Sequence, residues 1–272
     1  MSKMLFTITC GDQSENHHGM KKQGTLATVG FTWGEFIRAI PTFKKWGGKC
    51  ELYPLDLWIH PEENQALDFI PEASVLVVRG GVDAVLKSQG IDNVTSQMRI
   101  DELLSFDWDT QYFDVRRNRV LNKHARYNVC FDDSPQIADF PNKQGTLIAW
   151  DAVPITASIR NGLSLFLGPK ASNLKGEGNK YMNVLKNGIG PHGDSERKKV
   201  AMWRIGATAF LCFRPFQNHH PIGRPLPLSL NDGDLLFMSE NAGGFNWKSH
   251  KNNLITWRHA AGASKYLHPL LS

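Results

Sequence analysis

From about residue 100 to the C-terminus the chain is a succession of short apolar runs, YNVCF, TLIAW, KVAMWRIGATAFLCF, PLPLSL, DLLFM and LITWRHA, separated by Gly, Pro, Asn and Asp. No other feature constrains the fold as strongly. Runs of this length, closely spaced and punctuated by turn residues, predict antiparallel strands gathered into a sandwich or barrel. A helix is expected at ITASIRNGLSLFL, just before most of these strands. The first hundred residues read differently. LFTITC, CELYPLDLWI and SVLVVRG are strand-like, while FTWGEFIRAIPTFKKW and VDAVLKSQ are helix-like, and that alternation predicts a small α/β layer. The expected organisation is α+β, with a small N-terminal α/β region over residues 1–100 and a strand-rich domain with flanking helices over 101–272. The polar stretch DQSENHHGMKKQ between Gly11 and Gly24 reads as a loop. Its adjacent His17 and His18 would point to opposite sides of an extended chain and are not expected to share a metal.

With 272 residues, 41% of them hydrophobic, the chain can bury one large core or two small ones, which excludes disordered and fibrous classes. No run of about 18 apolar residues is present, and the opening MSKMLFTITC is cut short by Gly11 and Asp12 before it could serve as a signal peptide. A soluble, intracellular protein with no membrane partner is expected. The sequence carries no signal for an oligomeric state. Cys10, Cys50, Cys130 and Cys212 lie far apart in apolar stretches and read as reduced core thiols rather than disulfides or zinc ligands. The formal net charge of +5 names no partner by itself. Its distribution says more: Arg116, Arg117, Arg119, Lys123, His124 and Arg126 fall within eleven residues containing no acid. Such a stretch suits a phosphate backbone, or is simply a solvated loop face.

The strongest local feature is Gly188-Ile189-Gly190-Pro191-His192-Gly193-Asp194-Ser195-Glu196-Arg197. In an extended strand, residues two apart share a face, so His192 and Asp194 could bind one ion. A second histidine would complete the two-histidine, one-carboxylate triad, which leaves positions open on one side of iron(II) for dioxygen and a chelating cosubstrate. An H-x-D by itself is common in surface turns. Ser195 lacks a G-x-S-x-G elbow, which argues against a hydrolase, and the G-x-G at 188–190 lacks the helix and lysine of a nucleotide loop.

The context of this H-x-D is ordered. Asn179-Lys180-Tyr181 precedes it, and RIGATAFLCF, Asn231-Asp232-Gly233-Asp234-Leu235-Leu236-Phe237-Met238 and Leu254-Ile255-Thr256-Trp257-Arg258-His259 follow. As an ordered set over roughly residues 110–265, these motifs resemble the AlkB-like iron(II)- and 2-oxoglutarate-dependent oxygenases. They are also similar to the AlkB-like proteins of large DNA viruses and algae, whose ending resembles MSENAGGFNW and TWRHAAG here. The resemblance implies a double-stranded β-helix (jelly-roll) core, with Fe(II) held by His192 and Asp194 and with 2-oxoglutarate as cosubstrate. For the third ligand it implies His259, which sits within an apolar strand, or alternatively His250. Asn179 and Tyr181 match the N-x-Y pair that would hydrogen-bond the cosubstrate.

The cation for the distal carboxylate stays open among three residues. Arg204 interrupts the apolar strand VAMW-R-IGATAF, where a charge usually has a buried partner. The family pattern favours the last strands and so Arg258, with Lys265 as a substitute, yet no R-x-N-L-T-F-R run follows His259. The substrate implied by the resemblance is a modified base in single-stranded or flipped nucleic acid. Arg117, Arg119 and Arg126 would then meet phosphates and Tyr127 would stack on a base. Two alternatives compete: the same chemistry on a protein side chain or small metabolite, and a non-enzymatic binding protein whose H-x-D is incidental.

Overall fold

The computed structural model describes residues 3–59, 72–251 and 254–272. Its strands are β1 (Leu5–Gly11), β2 (Gln13–Glu15), β3 (Lys22–Gly24), β4 (Lys49–Pro54), β5 (Ser74–Arg79), β6 (Gln111–Asp114), β7 (Arg119–Asn122), β8 (Tyr127–Asp132), β9 (Leu147–Ala149), β10 (Lys175–Tyr181), β11 (Gly188–His192), β12 (Val200–Gly206), β13 (Ala209–Gln217), β14 (His220–Pro221), β15 (Leu226–Leu230), β16 (Leu235–Met238) and β17 (Ile255–Gly262). The helices are α1 (Trp33–Lys45), α2 (Gly81–Lys87), α3 (Ser96–Leu104), α4 (Pro154–Gly162), α5 (Ser164–Leu167), α6 (Glu240–Gly243) and α7 (Ser264–Leu271). The class is α+β, and strands predominate.

Eight strands form one sheet in the order β4-β5-β16-β12-β1-β10-β8-β9, and a second sheet runs β11-β17-β13-β14 with β15 also on β13. All these pairings are antiparallel except β8 with β9. A boundary at residue 100 does not divide this architecture. β1, β4 and β5 are members of the large sheet, and β1 lies at its centre, paired on one side with β10 and on the other with β12. β4 and β5 also pair antiparallel, unlike the parallel strands of an α/β layer.

The alternation of LFTITC explains the placement of β1. Phe6, Ile8 and Cys10 enter the core shared with the helices, while Thr7 and Thr9 line a cavity on the other face. Such a strand is at home only where its two faces meet different surroundings. On the helix side, α1 presents Phe36, Ala39 and Phe43 at helical spacing, and Phe43 stacks on Phe166 of α5 with ring centroids 4.0 Å apart. Each such burial is worth roughly 1.5–3 kcal/mol. On the opposite face, Val200, Met202, Leu236 and Met238 of the large sheet pack with Leu211, Phe213, Leu228 and Trp257 of the second. The outer face of the second sheet is covered by α7, through Leu267 and Leu270 against Cys212, Phe216 and Ala260. All four cysteines are free. Among the described residues no helix is long and apolar enough to cross a membrane.

Candidate metal centre and its cavity

β11 ends at His192, which lies directly across the ladder from His259 of β17. Their rings are 4.4 Å apart, centroid to centroid. Asp194 is not on the strand as strand alternation would have it. It lies in the loop beyond β11, where its N–H donates to Gly243 O at 2.8 Å, so α6 rather than strand pleating aims the carboxylate. Gly193 between the ligands has to be small: a Cβ there would run into the carbonyl oxygen of Gly244 and come to 2.6 Å from the Trp247 ring.

The result is a tight cluster. Asp194 Oδ1 stands 3.7 Å from His192 Nε2 and 3.8 Å from His259 Nε2. Among the described residues these three form the only group of three or more metal-capable side chains whose ligand atoms all lie within 4.8 Å of one another. The 2.8 Å contact of His192 Nδ1 with Gly190 O requires the proton on Nδ1, which frees the Nε2 lone pair towards Asp194. His250, the alternative third ligand, is elsewhere: it is exposed, and its Nδ1 lies 3.4 Å from His219 Nε2.

Burial sets the electrostatics. Asp194 is 9% exposed and His259 5%. Desolvation lowers the pKa of His192, and lowers that of His259 well below the usual histidine value, with the His192 charge adding to the second effect. Burial thus disfavours the imidazolium form at both positions and favours rings able to donate a lone pair. Desolvation raises the Asp194 carboxyl to about 8, with the nearby Glu196 adding to the rise and Arg197 opposing it.

A cavity of about 430 Å³ opens between the sheets beside the cluster. Register fixes the rows of its floor: Asn179, Thr7 and Arg204 are neighbours across β10, β1 and β12, and Glu177, Thr9 and Met202 form the next row. Asn179 Oδ1 accepts from Arg126 Nε at 2.6 Å and Asn128 Nδ2 at 2.7 Å, while its Nδ2 donates to Glu177 Oε1. Arg197 is clamped by Glu177 and Glu196. Arg204, 1% exposed, has Thr7 Oγ1 at 2.6 Å as its side-chain partner. No carboxylate lies within 4 Å of it among the described residues, and burial lowers its pKa.

Of the residues singled out in the sequence, the structure brings His192, Asp194, His259, Asn179, Tyr181, Arg204 and Arg126 to this cavity. Others are placed elsewhere. Arg258 turns away, stacking on Phe216 and Trp247, and Lys265 lies over the Tyr266 ring. Tyr127 faces the helix-side core, because alternation along β8 puts it with Val129 and Phe131. Arg117 and Arg119 belong to the β6–β7 hairpin, outside the cavity lining, and Arg117 pairs with Asp114 at 3.7 Å.

The stretch read as a plain loop supplies Glu15, Asn16, His17 and His18 to the wall. Burial raises the Glu15 carboxyl to about 7 and lowers His17 to about 4, with Lys123 and Arg126 charges assisting. His17 stacks on Tyr112 of β6 with centroids 3.6 Å apart, which ties the hairpin to the wall of the cavity. In the sequence His17 and His18 stand out only as adjacent histidines and Trp247 only as the end of MSENAGGFNW. Glu15 carries no sequence signal.

Together, fold and site define a class: an α+β protein of two packed sheets, with a two-histidine, one-carboxylate cluster open to a polar cavity between them. No family model matches the sequence. The chain is 36% identical over 265 residues to an uncharacterized protein of Acanthamoeba polyphaga mimivirus, spanning 97% of this chain and 98% of that one. It belongs to the same family as that viral protein.

Proposed function

We propose that the protein is an Fe(II)- and 2-oxoglutarate-dependent dioxygenase built on a double-stranded β-helix, and that it hydroxylates or demethylates a modified nucleobase. One observation carries the reading: a buried His-Asp-His cluster shares a cavity with a buried arginine that has no acid partner. The donor set fits iron(II). Two neutral imidazoles and one carboxylate suit a borderline divalent ion, and a divalent ion would balance the desolvated Asp194.

Cis ligands about 2.1 Å from a common ion are about 3 Å apart, so the 3.7 and 3.8 Å separations close on an ion with small side-chain movements. His192 and His259 are carried by β11 and β17 and Asp194 by the loop beyond β11, and the cavity beside them has room for a chelating cosubstrate and dioxygen. Iron(II) bound here would supply activation of dioxygen, coupled to oxidative decarboxylation of 2-oxoglutarate to succinate and carbon dioxide and to hydroxylation of a substrate C–H bond.

The protein's own residues supply position and charge. Arg204, fixed by Thr7, suits the distal carboxylate, since an unpaired buried cation is costly unless an anion joins it. Asn179 has one amide hydrogen left after its bond to Glu177, and Tyr181 has a buried hydroxyl beside it. The apolar packing of Val200, Met202, Leu211 and Met238 excludes water. In a jelly-roll reading, β10, β1, β12 and β16 form one wall and β11, β17, β13 and β15 the other.

For the substrate, the hairpin bearing Arg116, Arg117 and Arg119 is coupled to the cavity by the Tyr112–His17 stack. That arrangement favours a polyanion whose base enters the cavity. Anaerobic addition of Fe(II) and 2-oxoglutarate tests the reading: a weak visible charge-transfer band is expected, lost in His192→Ala and His259→Ala. Absence of any band in the native chain, together with no succinate release in air, would overturn it.

A further inference from the structure

Residues 193–199 join β11 to β12 and carry Asp194, so whatever holds the far end of this loop helps to set where that carboxylate stands. The near end is fixed by the ladder that pairs His192 with His259. The middle is fixed by the Asp194 N–H on Gly243 O and by Arg197 between Glu177 and Glu196. The far end is held by a side chain from near the N-terminus. Asp12, which directly follows β1, accepts through Oδ1 from Lys198 N at 2.9 Å and Lys199 N at 2.8 Å, and through Oδ2 from Ala27 N at 2.7 Å. Among the described residues no cationic side chain lies within 4 Å of it, so this carboxylate is committed to backbone N–H groups, in charge-assisted bonds roughly twice as strong as neutral ones.

Two glycines show how closely the loop is seated. A Cβ on Gly11 would lie 2.5 Å from Lys199 O and 3.0 Å from Arg197 Cδ, and one on Gly30 would run into Lys198 O. Lys198 Nζ reaches Glu240 of α6 at 3.0 Å and Thr28 O at 3.0 Å, while Glu240 accepts from Gly30 N at 3.0 Å. Residues 197–199 are thus gripped between the end of β1, residues 27–30 and the helix whose Gly243 O aims Asp194. Of the groups in this grip, Asp12 alone bonds the backbone of two consecutive loop residues.

We infer that Asp12 is a positioning residue of the metal centre: by stapling Lys198 and Lys199 it fixes the exit of the loop, and with it the stance of Asp194 Oδ1 before the two imidazoles. Asp12 itself touches no ligand. The inference rests on the part of the proposed function in which His192, Asp194 and His259 hold a divalent ion, and on neither the cosubstrate nor the substrate.

The probe is Co(II) alone, which suits the same imidazole and carboxylate donors, titrated into the metal-free full chain and followed by its visible d–d bands. Asp12→Ala is expected to weaken Co(II) roughly 10- to 100-fold, the range for losing an outer partner of a metal ligand. At saturation its bands should shift from the native spectrum towards that of Asp194→Ala. Asp12→Asn keeps an oxygen for Lys198 and Lys199 but no charge, and should fall between, weaker than native by about 3- to 10-fold. Glu102→Ala is the control. Glu102 also accepts from two consecutive backbone N–H groups, Ile155 at 2.6 Å and Thr156 at 2.9 Å, but at the start of α4 and outside the cavity lining. It should lose comparable stability in urea and keep native affinity and spectrum. If Asp12→Ala does not fold, Asp12→Asn carries the test. Native affinity and spectrum in the folded Asp12 variant overturn the inference, as does an equal loss of affinity in Glu102→Ala. If the native chain takes up no Co(II), the metal-centre reading itself fails and the inference falls with it.

Discussion

Replacing Arg204 with methionine separates a structural from a functional reason for burying a guanidinium. The side chain is fully inside, carries a charge whose pKa is lowered by burial, and has one side-chain partner, the Thr7 hydroxyl. Removing a charge from water costs several kcal/mol, and a hydrogen bond to a neutral hydroxyl returns about 1.5–3 kcal/mol of it. Because no carboxylate is left behind when the cation is removed, an apolar side chain of similar length should stabilise the ligand-free protein by about 1–2 kcal/mol, towards the low end of buried-ion replacements. That corresponds to a rise in thermal midpoint of about 2–8 °C.

Urea unfolding of metal-free, ligand-free protein measures this directly, with the slope required to stay constant. The same variant should lose 2-oxoglutarate affinity by roughly 100-fold. A gain in stability with a loss of binding marks a residue retained for its ligand. If Arg204→Met instead loses more than about 1 kcal/mol when ligand-free, the guanidinium is a structural element and the argument from its missing partner is wrong.

Other perturbations follow from the same geometry. Gly193→Ala drives a methyl into Gly244 O and the Trp247 ring, and should cost about 1–3 kcal/mol and lower iron affinity, read by urea unfolding and metal titration. His250→Ala should leave bound iron unchanged, and a loss equal to that of His259→Ala would contradict the assignment of the third ligand. The folded state holds a proton on Glu15 up to about 7, against an ordinary value of 4.5. Its contribution is thus fully present below about pH 4.5 and is lost as the pH rises through 7, by up to about 3 kcal/mol. Glu15→Gln should flatten the stability profile across that window, and an unchanged profile would refute the assignment. Neutralising Arg117 and Arg119 together should reduce the salt slope of oligonucleotide binding by about 2. An unaltered slope would remove the hairpin from the interface.

Much of this was legible because strands and turns are local. The apolar runs, α1 and the α4–α5 helical stretch lie where their periodicity put them, and the ordered motifs pointed to His192 and Asp194 with His259 or, alternatively, His250 as the third member. What local pattern could not carry was distance along the chain. Nothing within LFTITC says that its neighbours are residues 175–181 and 200–206, so the first hundred residues read as a region of their own and Thr7 went unrecognised as part of the floor. Tyr127 and Tyr112 show a similar limit, since the sequence assigns base stacking to Tyr127 and singles out nothing at Tyr112. Both are aromatic residues near a basic stretch, and only strand phase decides that one packs under helices while the other stacks on His17. Asp194 illustrates a third limit: its aim comes from a backbone contact with Gly243, which no spacing rule encodes.

The central position of β1 has a consequence for synthesis. At about 5–20 residues per second, β1 waits roughly ten to thirty seconds after its own synthesis before either neighbouring strand, at residues 175–181 and 200–206, exists. Throughout that interval Phe6, Ile8 and Cys10 lack both flanking strands, and only the earlier parts of their core, such as α1 and Trp108, are available to cover them. Nascent chains of this protein should therefore engage chaperones early and acquire protease resistance only once residue 206 has emerged, in a single late step.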